Sequence, residues 1–304
     1  MPAARKRARR EPAGSFPRLE GMIDTQDVWL VANPSSGSND DDALEALSHH
    51  CQSVGLCLTR RIAFPKESLP TPAELNAAGL TLIAVFAGDG TINALVDALK
   101  GWSGAVLVLP GGTMNLLSLR LHGPRSSEEI VQSVVRGDAR RVRLSAVRCD
   151  DHIALAGLLV GPATAWGDVR EAMRELKLAS VVEETVAAMN ESTEGVPVRC
   201  TDPVAGRAEG YPLLMVTPER GDFSIKAYHA EGMVEYAKQG LAILRRNFRD
   251  GPHDDLGNYT TMRIESADGT DIPLLVDGEA VESDASVNLA LDECGVDLIA
   301  TGEG

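Results

Sequence analysis

Within the first 115 residues, an apolar run stops three times at a turn carrying glycine, and a stretch with helical spacing follows. Val28–Ala32 runs into Asn33-Pro34-Ser35-Ser36-Gly37. Thr81–Phe86 runs into Ala87-Gly88-Asp89-Gly90-Thr91-Ile92-Asn93. Ala105–Leu109 runs into Pro110-Gly111-Gly112-Thr113-Met114-Asn115. Apolar residues recur at one-face spacing in 40–54 (Ala43, Leu44, Leu47, Cys51, Val54) and in Thr91–Leu99 (Ile92, Leu95, Val96, Leu99). Leu56–Ile62 reads as a further strand, and Pro72–Ala78, a stretch beginning near Thr113, and Ser127–Val135 read as helices. Strands alternating with helices predict a parallel sheet covered on both faces. Ligands of such sheets sit at the carboxyl ends of the strands, where these three turns fall.

After Arg140 the pattern changes to many short strands separated by turn residues: Val142–Cys149, Ile153–Val160, Pro197–Thr201, Tyr211–Thr217, Phe223–Ala227, Tyr259–Ser266, Ile272–Val276, Ser286–Leu291 and Val296–Ala300. Helical segments at 166–190 and 234–248 interrupt them. The expected fold class is α/β: an N-terminal three-layer α/β nucleotide-binding domain over 27–138, followed by a C-terminal β-sandwich over 139–304. Residues 1–26 are rich in Ala, Pro and Arg and lack periodicity. They are expected to be a disordered basic tail, and Met22 is a natural alternative start.

The net charge of −15 argues against a nucleic-acid partner and against general adhesion to anionic membranes. No apolar run reaches the roughly 18–20 residues of a transmembrane helix. Five Cys (Cys51, Cys57, Cys149, Cys200, Cys294) form no C-x-x-C arrangement and read as reduced thiols of a cytoplasmic protein. The six His are scattered, and His49-His50 and His253 lack metal-ligand spacing. They read as solvated surface groups, which weakens a metal-hydrolase reading.

Each glycine turn has two readings. Asn33, Ser35, Ser36 and Gly37 suit a phosphate cradle ahead of a helix, and they equally suit a generic turn. Gly88-Asp89-Gly90 places backbone N–H groups and a helix dipole where an anion binds. A carboxylate there makes sense beside Mg²⁺ or an attacking hydroxyl; the alternative is a tight turn with Asp or Thr as the cap. Gly112-Thr113 repeats that logic. Far downstream, Val276-Asp277-Gly278-Glu279 reads either as an Asp-Gly hairpin or as a carboxylate pair facing the nucleotide loops.

Taken in order, Asn33–Gly37, Ala87–Asn93, Pro110–Asn115 and Asp277-Gly278-Glu279 resemble the motifs of the diacylglycerol kinase catalytic-domain family, over roughly residues 27–300. The resemblance implies ATP and Mg²⁺ in a cleft between the two domains, and a lipid hydroxyl as acceptor at a membrane surface. It implies that Ala87, Gly88, Asp89, Gly90, Thr91, Asn93, Gly112, Thr113 and Asn115 hold ATP, with Thr59 at the end of the second strand. Glu279 is the better match to the proton acceptor, with Asp277 and Asp89 as further catalytic carboxylates. A structural metal is implied near Tyr228, Glu231 and Met233.

Three positions depart from the pattern. Ala87 replaces a Gly and is costly only if that position needs positive φ. Leu116-Leu117 replaces Asp-Phe, and Glu231 replaces Asp. Two alternatives remain: a kinase of NAD, which shares the Gly-Asp-Gly loop, and a catalytically silent nucleotide- or lipid-binding regulator.

Overall fold

A computed structural model describes residues 27–33, 41–162, 164, 196–228 and 253–302. The expectations for the basic tail, for Ser35, Ser36, Gly37, Glu231 and Met233, and for helices at 166–190 and 234–248 lie outside the described residues.

The first half runs β1 (Asp27–Ala32), α1 (Asp41–Ser53), β2 (Cys57–Ala63), α2 (Pro72–Ala77), β3 (Leu82–Ala87), α3 (Asp89–Ala98), β4 (Ala105–Pro110), α4 (Leu116–His122) and α5 (Ser127–Val135). The helix starts follow local chemistry. Asp41 and Asp42 occupy the first turn of α1, where the dipole favours anions. Thr71 with Glu74, and Ser126 with Glu129, form capping boxes that start α2 and α5.

The second half runs β5 (Arg140–Val142), β6 (Ser145–Cys149), β7 (His152–Ala154), β8 (Leu158–Val160), β9 (Val198–Asp202), β10 (Val204–Ala205), β11 (Leu213–Pro218) and β12 (Phe223–Tyr228). It continues with β13 (His253–Tyr259), β14 (Thr261–Ser266), β15 (Leu274–Val276), β16 (Glu279–Val281), β17 (Ser286–Glu293) and β18 (Asp297–Ala300).

The described strands form three sheets, ordered β2-β1-β3-β4-β18-β5, β10-β9-β14-β17-β6-β7 and β13-β12-β11-β8-β15-β16. In the first, β1 to β4 are parallel, and every residue of β3 is buried, as a strand covered on both faces requires. Leu44, Leu47, Ile130 and Val134 of α1 and α5 pack on one face. Leu75, Leu95, Leu117 and Leu121 of α2, α3 and α4 pack on the other. The chain passes from β2 across β1 to β3, so the order reverses between β1 and β3, the crevice where open α/β sheets bind ligands. The other two sheets are antiparallel and enclose a shared core including Val160, Phe223, Ile225, Ile264 and Leu289. The α/β class with a C-terminal sandwich is therefore as expected.

Two strands of the expected sandwich half, β5 and β18, belong to the first sheet. The run Val296–Ala300, expected in the sandwich, supplies β18, which lies parallel to β4 and antiparallel to β5. Leu298, Ile299 and Ala300 are all buried. A strand buried on successive residues fits the interior of the doubly covered sheet better than a sandwich strand with one wet face.

Candidate active site

The Gly88 and Gly112 turns touch. A Cβ on Gly112 would lie 2.5 Å from the Gly88 Cα, so the second loop approaches the first at a distance only glycine allows. Gly88 is the N-cap of α3 and has extended backbone, so the first turn of that helix opens at the end of β3. Ala87 is the last residue of β3, level with Pro110 of β4, and is absent from the positive-φ positions. The Ala at this place therefore adopts ordinary strand backbone.

The helix expected to start near Thr113 begins three residues later, at Leu116. Thr113 is exposed in the turn. The intervening residues are needed for a closed knot: Asn115 has φ 52, its Oδ1 accepts from Gly112 N (2.7 Å) and its Nδ2 donates to Gly112 O (2.9 Å). Asn115 makes no side-chain cap to α4. Asp89 does that from the first turn of α3, accepting from Leu116 N at 3.1 Å and Leu117 N at 3.2 Å. Both oxygens of the buried Asp89 carboxylate are thus engaged by amides. Burial raises its pKa above the ordinary Asp value, the two amides pull it down, and the charges of Asp277 and Glu279 push it up.

Asp277 and Gly278 form the two-residue turn between β15 and β16, with φ 48 and 86. This is the type I′ hairpin that Asp-Gly favours. The Asp277 carboxylate turns inward. It accepts from Leu155 N (2.8 Å), Ala156 N (2.6 Å), Gly157 N (2.8 Å) and Asn93 Nδ2 (2.9 Å). It is only 2% exposed, and burial raises its pKa, against which the three amides and Asn93 act. Two residues on, Glu279 is exposed, and its carboxyl stands 3.6 Å from where a Gly90 Cβ would be. Leu116 Cδ1 reaches the Gly278 position from the other side, 3.7 Å from its would-be Cβ. Asn33 Nδ2 donates to Thr91 Oγ1 at 3.1 Å, joining the end of β1 to the first turn of α3.

The structure therefore brings Asn33, Gly88, Asp89, Gly90, Thr91, Asn93, Gly112, Asn115, Asp277 and Glu279 into one connected set. Thr59 is not among them. It stands third in β2, not at its end, and is the extra residue where the β1–β2 register shifts. Four residues separate it from Ala63 at the sheet's carboxyl edge, about 13 Å of strand. Tyr228 is buried in β12 with its ring tilted against His253 at 5.6 Å. Among the described residues no cluster of three or more His, Cys, Asp or Glu is placed to hold a metal ion.

Two features had no signal in the sequence. Leu155, Ala156 and Gly157 supply three amides to one carboxylate, and Arg120 reaches from α4 into the sandwich. Nη1 donates to Ser145 O (2.9 Å) and Leu155 O, and Nη2 to Pro218 O (3.0 Å). The expectation of surface His also fails at His122, which is 1% exposed, with Nδ1 2.9 Å from Thr301 Oγ1.

The site is thus a parallel sheet with a glycine-lined edge facing an acidic hairpin from a β-sandwich. Residues 27–147 match the model of the Diacylglycerol kinase catalytic domain, the same family that the motifs resemble. Among solved structures, a diacylglycerol kinase from Bacillus anthracis str. Sterne superposes with TM-score 0.56 at 15% identity, covering 91% of this chain and 98% of its own. Two other structures from that organism, assigned provisionally as diacylglycerol kinases, give TM-scores of 0.57 at 17% and 16% identity. They cover 90% and 91% of this chain and 95% and 97% of their own. These likenesses show a shared two-domain fold. No curated protein matches this chain in sequence.

Proposed function

We propose that the protein is an ATP-dependent kinase that transfers the γ-phosphate to the hydroxyl of a diacylglycerol-like lipid. The observation that carries this reading is Glu279, which a sandwich hairpin holds with its carboxyl 3.6 Å from where a Gly90 Cβ would stand, over the first turn of α3. The helix N-terminus and the packed Gly88 and Gly112 turns suit a triphosphate. A carboxylate facing it suits an acceptor hydroxyl. The described part of the notional ATP site is Asn33, Ala87–Thr91, Asn93, Gly112, Thr113 and Asn115. Mg²⁺ arrives with the nucleotide as part of the substrate. The division of labour is nucleotide on 27–138 and lipid on 139–304, with β5 and β18 built into the sheet of the first.

In the reaction, the lipid oxygen attacks the γ-phosphorus in line, the bond from that phosphorus to the bridging oxygen breaks, and ADP leaves. The hydroxyl proton passes to Glu279. Asp277 and Asp89 serve differently from Glu279. Four donors already engage Asp277 and two amides engage Asp89. Both are better suited to fixing the loops than to accepting the substrate proton or ligating metal. Among the described residues no helix is long and apolar enough to cross a membrane, and the lipid is taken to be met by peripheral contact from the cytoplasmic side.

The silent-regulator alternative rested mainly on Ala87. Its strand backbone removes the reason to expect a damaged loop. The test is transfer of label from γ-labelled ATP to diacylglycerol, monoacylglycerol, phosphatidylglycerol, ceramide and sphingoid base, with NAD in parallel and Glu279→Gln as control. Transfer to a lipid, lost in Glu279→Gln, supports the proposal. Transfer to NAD alone, or ATP binding without transfer to any acceptor, overturns it.

A further inference from the structure

We infer that Arg120 is a positioning residue, which ties helix α4 to the sandwich so that Glu279 stays over Gly90. The activity half of this inference rests on the kinase reading above; the geometric half does not.

The contacts form a closed path. The α4 helix begins at Leu116 and Leu117, whose amides donate to Asp89, the residue before Gly90. One turn on, Arg120 donates to Ser145 O in β6, Leu155 O in the loop before β8, and Pro218 O at the end of β11. These carbonyls come from both sheets of the sandwich and the loop between them. Leu155 then donates its own amide to Asp277, and Asp277 N donates back to Gly157 O. Two residues beyond Asp277, the Glu279 carboxyl comes back to 3.6 Å from where a Gly90 Cβ would stand. Asn93 of α3 joins Asp277 directly and closes the path a second time.

A planar guanidinium can serve three carbonyls lying in different directions, and an ammonium with one centre serves them poorly. Burial lowers the pKa of Arg120, and the charges of Glu219 and Asp277 partly offset this. The cation thus sits behind the acidic hairpin. Without the guanidinium, the Leu155 carbonyl loses its donor and the platform of amides under Asp277 loosens. Glu279 is carried on that platform. A displacement of about 1 Å at a reacting group can cost on the order of a hundredfold in rate.

Arg120→Gln and Arg120→Lys separate this role from simple glue between the halves. Two readouts are needed: steady-state kinetics with ATP and the lipid found above, and hydrogen exchange at the amides of Leu155, Ala156, Gly157 and Asp277. In Arg120→Gln, kcat is expected to fall at least about tenfold with KM for ATP within about twofold. The four amides should exchange at least about tenfold faster while those of Ile92–Val96 keep their rate. Arg120→Lys should fall between Gln and wild type in both. If Arg120→Gln does not fold, Arg120→Lys decides alone, by lowered kcat with unchanged KM and faster exchange at the same amides. Unchanged exchange there, or kcat and KM for ATP moving together, overturns the inference. A wild-type protein that transfers no phosphate defeats the kinase reading, and the exchange rates still decide the positioning role.

Discussion

Gly112 and Gly88 approach so closely that a methyl group on the first would stand 2.5 Å from the Cα of the second. The two turns that frame the candidate phosphate site are therefore one packed unit. Their spacing is set by the absence of a side chain and not by charge.

That contact separates two glycines that look alike in sequence. Gly112→Ala must push the loops apart against backbone, so it is expected to destabilise the protein by about 1–3 kcal/mol and to weaken ATP binding at least tenfold. Gly90 lies within α3, its φ is not positive, and the nearest atoms to a Cβ there are Cγ, Cδ and Oε1 of Glu279 at an ordinary 3.6 Å. Gly90→Ala should fold at least as well as wild type, since Ala is favoured over Gly in helices by about 1 kcal/mol. Its methyl nonetheless occupies the gap before Glu279, and phosphoryl transfer should drop. Denaturant melts and ATP titration of both variants check the contrast.

Much of this arrangement could be read from the chain, and what could not has a physical reason. The parallel sheet was legible because β3 and β4 are unbroken apolar runs ending in glycine turns. The Asp277-Gly278 hairpin was legible because the type I′ turn selects those two residues. Thr59 was misplaced because strand ends are poorly marked where β2 is largely exposed and carries a register shift. The start of α4 was misplaced because its cap, Asp89, comes from the start of another helix and leaves no local signature. The Arg120 contacts and the amides of 155–157 join residues far apart in sequence, and nothing in their own neighbourhoods announces the partner.

The acids of the hairpin should respond to substitution in opposite ways. Glu279→Gln keeps shape and exposed position but accepts no proton, so kcat should fall about 10²–10⁴-fold with the melting temperature almost unchanged. Asp277→Asn replaces one oxygen of a buried carboxylate by a donor. Asn93 can turn its amide to present Oδ1, a buried atom without a partner among the described residues, but Leu155 N then faces another donor. Stranding that amide costs about 1–3 kcal/mol. Loss of stability accompanied by loss of rate is the expected pattern for Asp277→Asn, measured by thermal melts beside the same transfer assay.

Asp89→Asn tests whether Asp89 acts on substrate or on the fold. An amide side chain keeps one acceptor for Leu116 N or Leu117 N and loses the other, which costs about 1–2 kcal/mol. Removing the charge also relieves repulsion from Asp277 and Glu279, which now push the Asp89 pKa upward. A modest net destabilisation is expected, with kcat retained to within about tenfold. A loss as deep as that of Glu279→Gln at full folded stability would instead place Asp89 on the reacting groups.

His122 gives the protein a pH dependence unrelated to catalysis. Burial lowers its pKa from 6.5 to about 4, and Nε2 is buried without a partner among the described residues. The unfolded chain takes up a proton near pH 6.5, whereas the folded chain resists it until near pH 4. Stability contributed by the neutral imidazole is therefore complete above pH 6.5 and is lost as pH falls toward 4. The fall from 6.5 to about 4 corresponds to about 3 kcal/mol over that interval. The ring's other nitrogen meets Thr301, and Thr301 N and Gly302 N both donate to Leu121 O, so the imidazole sits where the residues after β18 meet the end of α4. His122→Gln, which has no titrating group, is expected to flatten the fall in urea midpoint between pH 7 and pH 4.5 by most of that amount. An identical pH slope in wild type and variant would assign the acid sensitivity to other groups.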